Sequence, residues 1–253
     1  MRDIKSSVLN PVIVDEPPVK PIYLVTGLPD MGNVAGIAME HLVKTLGMKV
    51  FGVIHGFWPP YVMHRRGEVV FRRSSFRFYR TVEQRVFIVM TGEYQPQEVA
   101  SLYDLAEAVV SFAKRLGVER IISVGAAHRG SVSQGRVFYA ATAHELSKLA
   151  EEAGAEPLSD EGYITGFNGL VLGIGHDAGL EGVCLLGEID NPEIPQPLAS
   201  RNVLRVLSKM VGLENLDMTA LEEAAEKIKA QMLFTEEVSR VMRQFRRTPP
   251  GVV

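Results

Sequence analysis

The chain has 253 residues, of which 46% are hydrophobic, and its formal net charge is −3. This length and composition predict one large globular domain, or one domain with an appendage. The small negative charge excludes a global attraction to nucleic acid or to an anionic membrane surface. The single cysteine, Cys184, excludes an internal disulfide, and its apolar neighbours predict a small buried side chain in a reducing compartment.

The first 20 residues carry charges and prolines and are predicted to form an edge strand or an arm. They lack the apolar centre of a signal peptide, and no window of the chain approaches the roughly 18 apolar residues of a membrane span. We therefore expect a cytoplasmic protein without membrane contact. Its expected organisation is an arm over 1–20, an α/β domain over 21–213 and a helical extension over 214–253.

From residue 21 onward, short β-branched runs alternate with segments of helical period. The predicted strands cover 22–27, 48–56, 85–92, 120–126, 136–142 and 182–189. The predicted helices cover 31–47, 97–116, 143–153 and 197–212. Because the strands are apolar throughout and helices separate them, the pattern is typical of an α/β fold whose mostly parallel sheet is covered on both faces. The glycine-dense stretch over 166–179 receives no predicted element.

Residues 57–80 show no helical period. They contain two candidate strands, YVMHRRGEVVFRR and SFRFYR, which predict an antiparallel hairpin beside the main sheet. Arginines including Arg72, Arg73 and Arg77 alternate here with aromatic residues, a combination that can bind single-stranded nucleic acid by stacking. A basic patch on a net acidic chain can equally contact an acidic protein surface, and we favour protein contact.

Residues 217–247 predict a helix about 45 Å long. Two apolar stripes run along it at spacings of three and four residues. The first stripe consists of Met218, Leu221, Ala225, Ile228 and Met232, and the second of Phe234, Val238, Val241 and Phe245. A helix with this much apolar surface needs a partner surface, which is either its own domain or another subunit.

The segment TGLPDMGNVAG, residues 26–36, joins a predicted strand to a predicted helix. It lacks the Gly-Lys-Ser/Thr ending of a P-loop and the G-x-G-x-x-G frame of a dinucleotide site. A helix N-terminus rich in glycine still permits a small-anion site, for which the candidates are Gly27, Gly32, Asn33 and Gly36. The favoured interpretation is geometric: Gly27 supplies a positive φ in the turn, and Gly36 lets the helix pack closely on the sheet.

Residue spacing gives no catalytic set. No histidine has a second histidine at i+4, and no serine lies in a G-x-S-x-G frame, so we predict neither a metal site nor a cofactor. Glu188 and Asp190 end the last predicted strand, where open α/β sheets place ligands, and paired acid–base work by them is one interpretation. The favoured one is a solvated exit from the strand.

The order of several motifs resembles the proteasome assembly chaperone family, specifically the archaeal and bacterial relatives of the second eukaryotic assembly chaperone. The likeness rests on VTGLPDMGNVAGIAMEHLVKTLG, VIHGFWPP, FIVMTGEYQP and GYITGFNGLVLGIGHDAGLEGVCLLGEI. The helix over 197–212 and the long C-terminal helix also match. The resemblance therefore spans nearly the whole chain.

This resemblance implies a three-layer α/β/α sandwich similar to that of nucleoside phosphorylases and related hydrolases. It also implies a non-catalytic homo-oligomer that binds proteasome α subunits. The candidate partner contacts are Arg72, Arg73, Arg77, Leu221, Ile228, Val238, Val241 and Phe245. The alternative is an enzyme that acts on a nucleoside or a phosphorylated small molecule. Relatives that grip the proteasome through their tail have a penultimate tyrosine, whereas Val252 stands there in this chain.

Overall fold

The computed structural model describes residues 12–13, 21–56, 62–71, 74–81, 87–130, 135–159 and 161–246. The strands in these ranges are β1 Val12–Ile13, β2 Tyr23–Thr26, β3 Lys49–Gly56, β4 Met63–Arg65, β5 Glu68–Val70, β6 Ser74–Arg80, β7 Phe87–Gly92, β8 Arg120–His128, β9 Val137–Ala141, β10 Glu156–Pro157 and β11 Glu181–Ile189. The helices are α1 Val34–Thr45, α2 Val99–Leu116, α3 His144–Ala153, α4 Phe167–Asp177, α5 Pro197–Met210 and α6 Thr219–Arg246. No helix within the described ranges combines the length and the apolar content that a membrane crossing requires.

The centre of the main sheet is parallel and has the strand order β7–β2–β8–β11. β2 is buried at all four positions because it has strands on both sides and helices on both faces. β8 and β11 pair over nine residues, from Arg120 opposite Glu181 to His128 opposite Ile189. The continuous apolar runs in the sequence correspond to this doubly covered centre.

Antiparallel pairings extend the sheet on both sides. β6, β3 and β1 follow β7 in that order, and β9 is antiparallel to β11. β10 then pairs parallel to β9 at the other edge of the sheet. The predicted α/β class is confirmed, and the buried parallel strands lie in the middle of the sheet.

Alternate side chains of the central strands enter two separate hydrophobic cores. Val25 and Val124 belong to the core covered by α1, α3 and α5, whereas Leu24 and Ile121 belong to the core covered by α2 and α4. Cys184 is fully buried in this second core, as predicted. The sheet therefore lies between two helical layers, which confirms the three-layer arrangement that the family resemblance implied.

The expected antiparallel hairpin is present, but its strands differ from the prediction. It consists of β4 and β5 alone, joined through Arg66 and Gly67, which both have positive φ as in a two-residue hairpin turn. β6, the predicted partner strand, instead lies in the main sheet between β3 and β7. Its Phe78 packs edge-to-face against Phe112 of α2, with 4.5 Å between ring centroids, so burial on this face decides where the strand pairs.

Helix α4 occupies the glycine-dense stretch for which the sequence predicted no element. Its glycines allow close packing: a Cβ at Gly175 would lie 2.7 Å from Cδ1 of Ile121 on the sheet. A Cβ at Gly169 would collide with the backbone carbonyl of Ile164. Tertiary packing thus overrides the low helix propensity of glycine here.

The first 20 residues fall mostly outside the described ranges. Within them, Val12 and Ile13 pair antiparallel with Val53 and Gly52 of β3. This pairing agrees with an edge strand in that segment. The predicted divisions after residues 20 and 213 stay predictions.

Candidate functional site

The turn between β2 and α1 contains Asp30, which caps the helix. Its Oδ1 accepts a hydrogen bond from the backbone N–H of Ala35 at 2.9 Å, and its carbonyl accepts one from the N–H of Asn33 at 2.9 Å. A carboxylate at this position also interacts favourably with the positive end of the helix dipole. An acidic side chain of the protein itself therefore lies at the place where the sequence left a small-anion site open as the less favoured interpretation.

Gly32 is held by the loop that follows β11. Its N–H donates to the carbonyl of Pro192 at 2.7 Å, and its carbonyl accepts a hydrogen bond from the N–H of Gln196 at 2.8 Å. A Cβ at Gly32 would lie 2.6 Å from Cγ of Gln196. Because the Gly32 amide is already used, anion binding at this turn stays a prediction that needs other donors.

The geometric roles expected of two other glycines in this turn are wrong. Gly27 does not adopt a positive φ, which belongs instead to Gly32 and Asn33. Glycine is needed at position 27 because a Cβ there would lie 2.9 Å from Cβ of Ala35. Gly36 leaves room for the Oδ1 atom of Asn33 and not for the sheet.

A cavity of about 680 Å³ opens at the carboxyl edge of the central parallel strands. Asp30 reaches it from the turn after β2, Gln95 from the segment after β7, and residues 125–129 from the end of β8. Residues 161–166, which precede α4, line it as well. Ligands of open α/β sheets bind at this edge, because the loops of adjacent parallel strands converge there. This cavity is the main candidate site for a small molecule.

Asp30 is the buried acid of this cavity. Its Oδ2 atom is shielded from solvent and has no hydrogen-bond partner among the described residues. The loss of hydration raises the pKa of Asp30 to about 7, although the backbone amides of Ala35 and Ala126 favour the charged form. Near neutral pH the carboxyl is therefore divided between its two protonation states, and it can accept or donate a hydrogen bond.

Two amide side chains hold helix α4 in place, Asn168 against this turn and Gln95 against the segment after β7. Oδ1 of Asn168 accepts the N–H of Leu28 at 3.0 Å, and Nδ2 of Asn168 donates to the carbonyl of Leu28 at 3.3 Å. Oε1 of Gln95 accepts the N–H of Phe167 at 3.0 Å, at the start of the helix. These contacts fix the relative positions of three chain segments that line the cavity.

Sequence reasoning missed Asp30, Gln95 and Asn168. The signal that could have indicated Asp30 is an acid directly after a buried strand, in a turn whose glycines allow a close approach. Gln95 contacts the start of α4 across 72 residues of chain, and Asn168 contacts the turn across 140 residues. Single-sequence patterns do not report contacts at such distances.

The two acids that the sequence singled out have separate partners. Glu188 has a side chain 1% exposed and forms an ion pair with Arg136, in which Nη2 and Oε1 are 2.7 Å apart. Oδ1 of Asp190 accepts a hydrogen bond from Nε2 of Gln196 at 3.1 Å. The charge of Glu188 is thus neutralised by a structural ion pair, which does not favour its use as a catalytic base.

Arg77 lies beside part of the predicted anion turn. A second cavity of about 330 Å³ is lined by Arg77, Asn33 and Gly36. The guanidinium of Arg77 on β6 forms an ion pair at 3.3 Å with Glu93, the residue that follows β7. Arg72 and Arg73 lie outside the described residues.

Helix α6 joins the domain at its start and leaves it farther along. Leu221, a predicted partner contact, is instead buried in the core beside α5, and Glu222 pairs with Arg201 at 3.0 Å. Ile228 is half-buried and lines a groove of about 500 Å³ with Met232.

The second stripe of α6 is exposed as far as the described side chains show. The exposed fractions are 69% for Phe234 and 42% for Val238. Met242, which was not among the residues predicted for this stripe, is 64% exposed on the same helix. Val241 and Phe245 lie on the same helix, but their side chains are outside the described part of the structure. Phe234 follows Leu221 by thirteen residues and therefore lies about 140° around the helix from it, on the side away from the domain.

These features define the class of the protein, a three-layer α/β/α sandwich with a C-terminal helix and a cavity at the carboxyl edge of its parallel strands. The chain belongs to the PAC2 family, whose pattern it matches over residues 24–234. It is 29% identical over 231 residues to an uncharacterized protein of Methanocaldococcus jannaschii. The aligned residues cover 90% of this chain and 87% of that protein.

Two solved structures from Pyrococcus furiosus are similar over nearly the full length. PbaB, described as an archaeal proteasome activator, has a TM-score of 0.78 at 29% identity. The match covers 90% of this chain and 98% of PbaB. PbaA, described as an archaeal homolog of proteasome-assembly chaperone, has a TM-score of 0.75 at 27% identity. The match covers 94% of this chain and 97% of PbaA.

Proposed function

We propose that this chain is a non-catalytic, homo-oligomeric binding protein of the cytoplasm that contacts proteasome α subunits as an assembly factor. Family membership and the likeness to PbaA and PbaB support a role connected with the proteasome. The arginine-rich segment that includes Arg72, Arg73 and Arg77 is proposed as a second contact surface for an acidic partner.

The observation that carries this proposal is the exposed apolar stripe on helix α6. Phe234, Val238 and Met242 recur every four residues on one side of the helix, and each is at least 42% exposed. Contiguous apolar surface of this kind, rimmed by charged residues, is typical of a protein interface. A 28-residue helix is about 42 Å long, so its second half reaches well beyond the first turns that are fixed to the domain.

A charge placed in this stripe tests the proposal. We expect Phe234→Glu combined with Val238→Glu to weaken self-association roughly tenfold or more, because buried apolar anchors dominate interface energies. Sedimentation velocity over a range of protein concentrations measures that change. A pull-down with purified proteasome α subunits measures partner binding on the same samples.

Gln231→Glu is the matched control, since Gln231 is an exposed polar residue of the same helix. This variant should retain the assembly and the binding of the unmodified chain. The proposal would be contradicted if the unmodified chain is monomeric at all concentrations and does not bind α subunits.

A further inference from the structure

An apolar groove of about 500 Å³ lies between helix α6 and the chain segment that joins β11 to α5. Ile194 and Leu198 line it from the domain, and Ile228 and Met232 line it from the helix. Leu198 is 44% exposed and Met232 is 40% exposed, so the groove is open to solvent. Its volume lies within the range usual for binding pockets, roughly 300 to 1,000 Å³. The domain thus presents an open apolar surface beside the helix.

The second stripe of α6 cannot fill this groove in its own chain. Ile228 follows Leu221 by seven residues and therefore lies within about 20° of it on the helix, on the side that faces the domain. Phe234 lies about 140° from Leu221 on the same continuous helix and is exposed. The groove and the stripe therefore point in different directions within one molecule, and only a second copy can bring them together.

The spacing of the second stripe suits a groove of this kind. Helices that bind in apolar grooves place their anchor residues at i, i+3 or i+4, and i+7. The stripe follows this rule, since Val238 and Val241 come four and seven residues after Phe234. The stripe also begins directly after Leu233, which lines the groove, so the two surfaces adjoin along α6.

The charges around the two surfaces are complementary. Asp190 and Glu193 lie in the segment at the rim of the groove, and both are exposed without an ion pair to a described residue. Among the described lining residues only Lys229, on the helix side, is basic. Residues 234–247, by contrast, contain four arginines and two glutamates. A basic helix segment therefore meets an acidic rim.

We propose that the second stripe of α6 docks in this groove on another copy of the chain. The inference rests on the proposed function, because it names the surface that receives the exposed stripe. The contact is heterologous, since a stripe meets a groove and not a second stripe, and each copy offers one of each. Copies linked in this way form a ring when the rotation between neighbours closes.

Leu198→Glu tests the groove without a change in α6. We expect it to weaken self-association tenfold or more, because it places a charge in an apolar contact. Glutamate is compatible with the first turn of α5, where the helix dipole favours an acid. Val99→Glu is the matched control, since Val99 is 71% exposed at the start of α2, on the other face of the sheet, and this variant should assemble like the unmodified chain.

A mixture of two variants distinguishes stripe-to-groove contact from stripe-to-stripe contact. Leu198→Glu keeps an intact stripe, and Phe234→Glu combined with Val238→Glu keeps an intact groove. Each variant alone should be monomeric at a concentration where the unmodified chain is assembled. Their equimolar mixture should bind one-to-one, because one intact stripe and one intact groove remain. Sedimentation velocity with a fluorescent label on one variant measures this binding.

The outcomes separate this inference from the proposed function. Normal assembly of Leu198→Glu, or a mixture that stays monomeric, would overturn the stripe-to-groove contact while self-association through the stripe stands. An unmodified chain that never self-associates would remove both. If Leu198→Glu does not fold, Glu193→Lys at the exposed rim decides, with Glu214→Lys as its exposed control. Association several-fold weaker at low salt for Glu193→Lys alone supports the groove, and unchanged association overturns it.

Discussion

The two oxygens of Asp30 do different work at the scale of a single residue. Oδ1 satisfies one of the free amides at the start of α1, which every helix must pair in some way. Oδ2 is shielded from solvent and has no hydrogen-bond partner in the described structure, so its hydration is lost. The residue thus combines a stabilising cap with a destabilising buried charge, and pH decides the balance between them.

This balance predicts an unusual pH dependence of stability. Folding raises the pKa of Asp30 from 3.8 to about 7, so the folded state binds its proton more tightly than the unfolded state. The stabilisation by this proton is complete below the unfolded value and is lost as the pH rises through about 7. Relative to Asp30→Asn, the free energy of unfolding of the natural chain should fall by roughly 2 to 3 kcal/mol between pH 5 and pH 8.

Urea denaturation of both proteins at several pH values measures this difference. Asp177→Asn is a suitable control, because Asp177 is exposed at the end of α4. That variant should keep the pH profile of the natural chain. A constant difference between Asp30→Asn and the natural chain across this pH range would contradict the buried-charge explanation.

Among the elements, helix α4 shows where local patterns stop being informative. Apolar runs and helical periods predicted the central strands and five of the helices because burial repeats with the period of the element. In α4 this apolar period is missing from the sequence, because glycines occupy buried positions of the helix. At Gly169 and Gly175 the apolar contacts come from Ile164 and Ile121 of neighbouring segments. The pairing of β6 was equally hidden, because it depends on Phe112, which is distant in sequence.

The candidate site was less predictable than the fold. The sequence drew attention to the turn over 26–36, but it emphasised the glycines and not the acid between them. Asp30 becomes significant only through its burial. The turn that carries it is held against α4 by Asn168, a contact that spans 140 residues of chain.

Two glycines in this helix predict opposite outcomes for the same substitution. Gly173→Ala should stabilise the protein by roughly 1 kcal/mol, because nothing lies within 4 Å of the new Cβ and alanine favours the helix. Gly169→Ala should destabilise it by roughly 1 to 3 kcal/mol, because the new Cβ meets the backbone carbonyl of Ile164. Thermal and urea denaturation of both variants compare the effects. Stabilisation by both substitutions would contradict the close contact between Gly169 and Ile164.

At the scale of the whole molecule, α6 connects a folded domain to an exposed apolar surface. Its first turns belong to the domain, through the burial of Leu221 and the ion pair between Arg201 and Glu222. Beyond Lys229 every described side chain is exposed. The helix is therefore divided between a folding role and the proposed assembly role.

Two truncations separate these roles. Deletion of residues 230–253 should leave the melting temperature within about 2 °C of the full chain and should abolish self-association, because every described side chain that it removes is exposed. Deletion of residues 217–253 also removes Leu221 and should lower the melting temperature by several degrees more, by roughly the amount expected for losing a buried leucine. Calorimetry and light scattering distinguish the two, and an unchanged assembly after the shorter deletion would exclude α6 as the contact.

The outer border of the sheet at β10 has a consequence for the kind of complex that the chain can form. β10 has two residues, and one of them is Pro157, which has no amide hydrogen to offer. A strand of a neighbouring chain would find almost no free backbone groups to pair with at β10. This edge of the sheet therefore does not favour strand-by-strand growth into open-ended polymers. Copies of the protein that join through a projecting helix can instead close into a complex of fixed size.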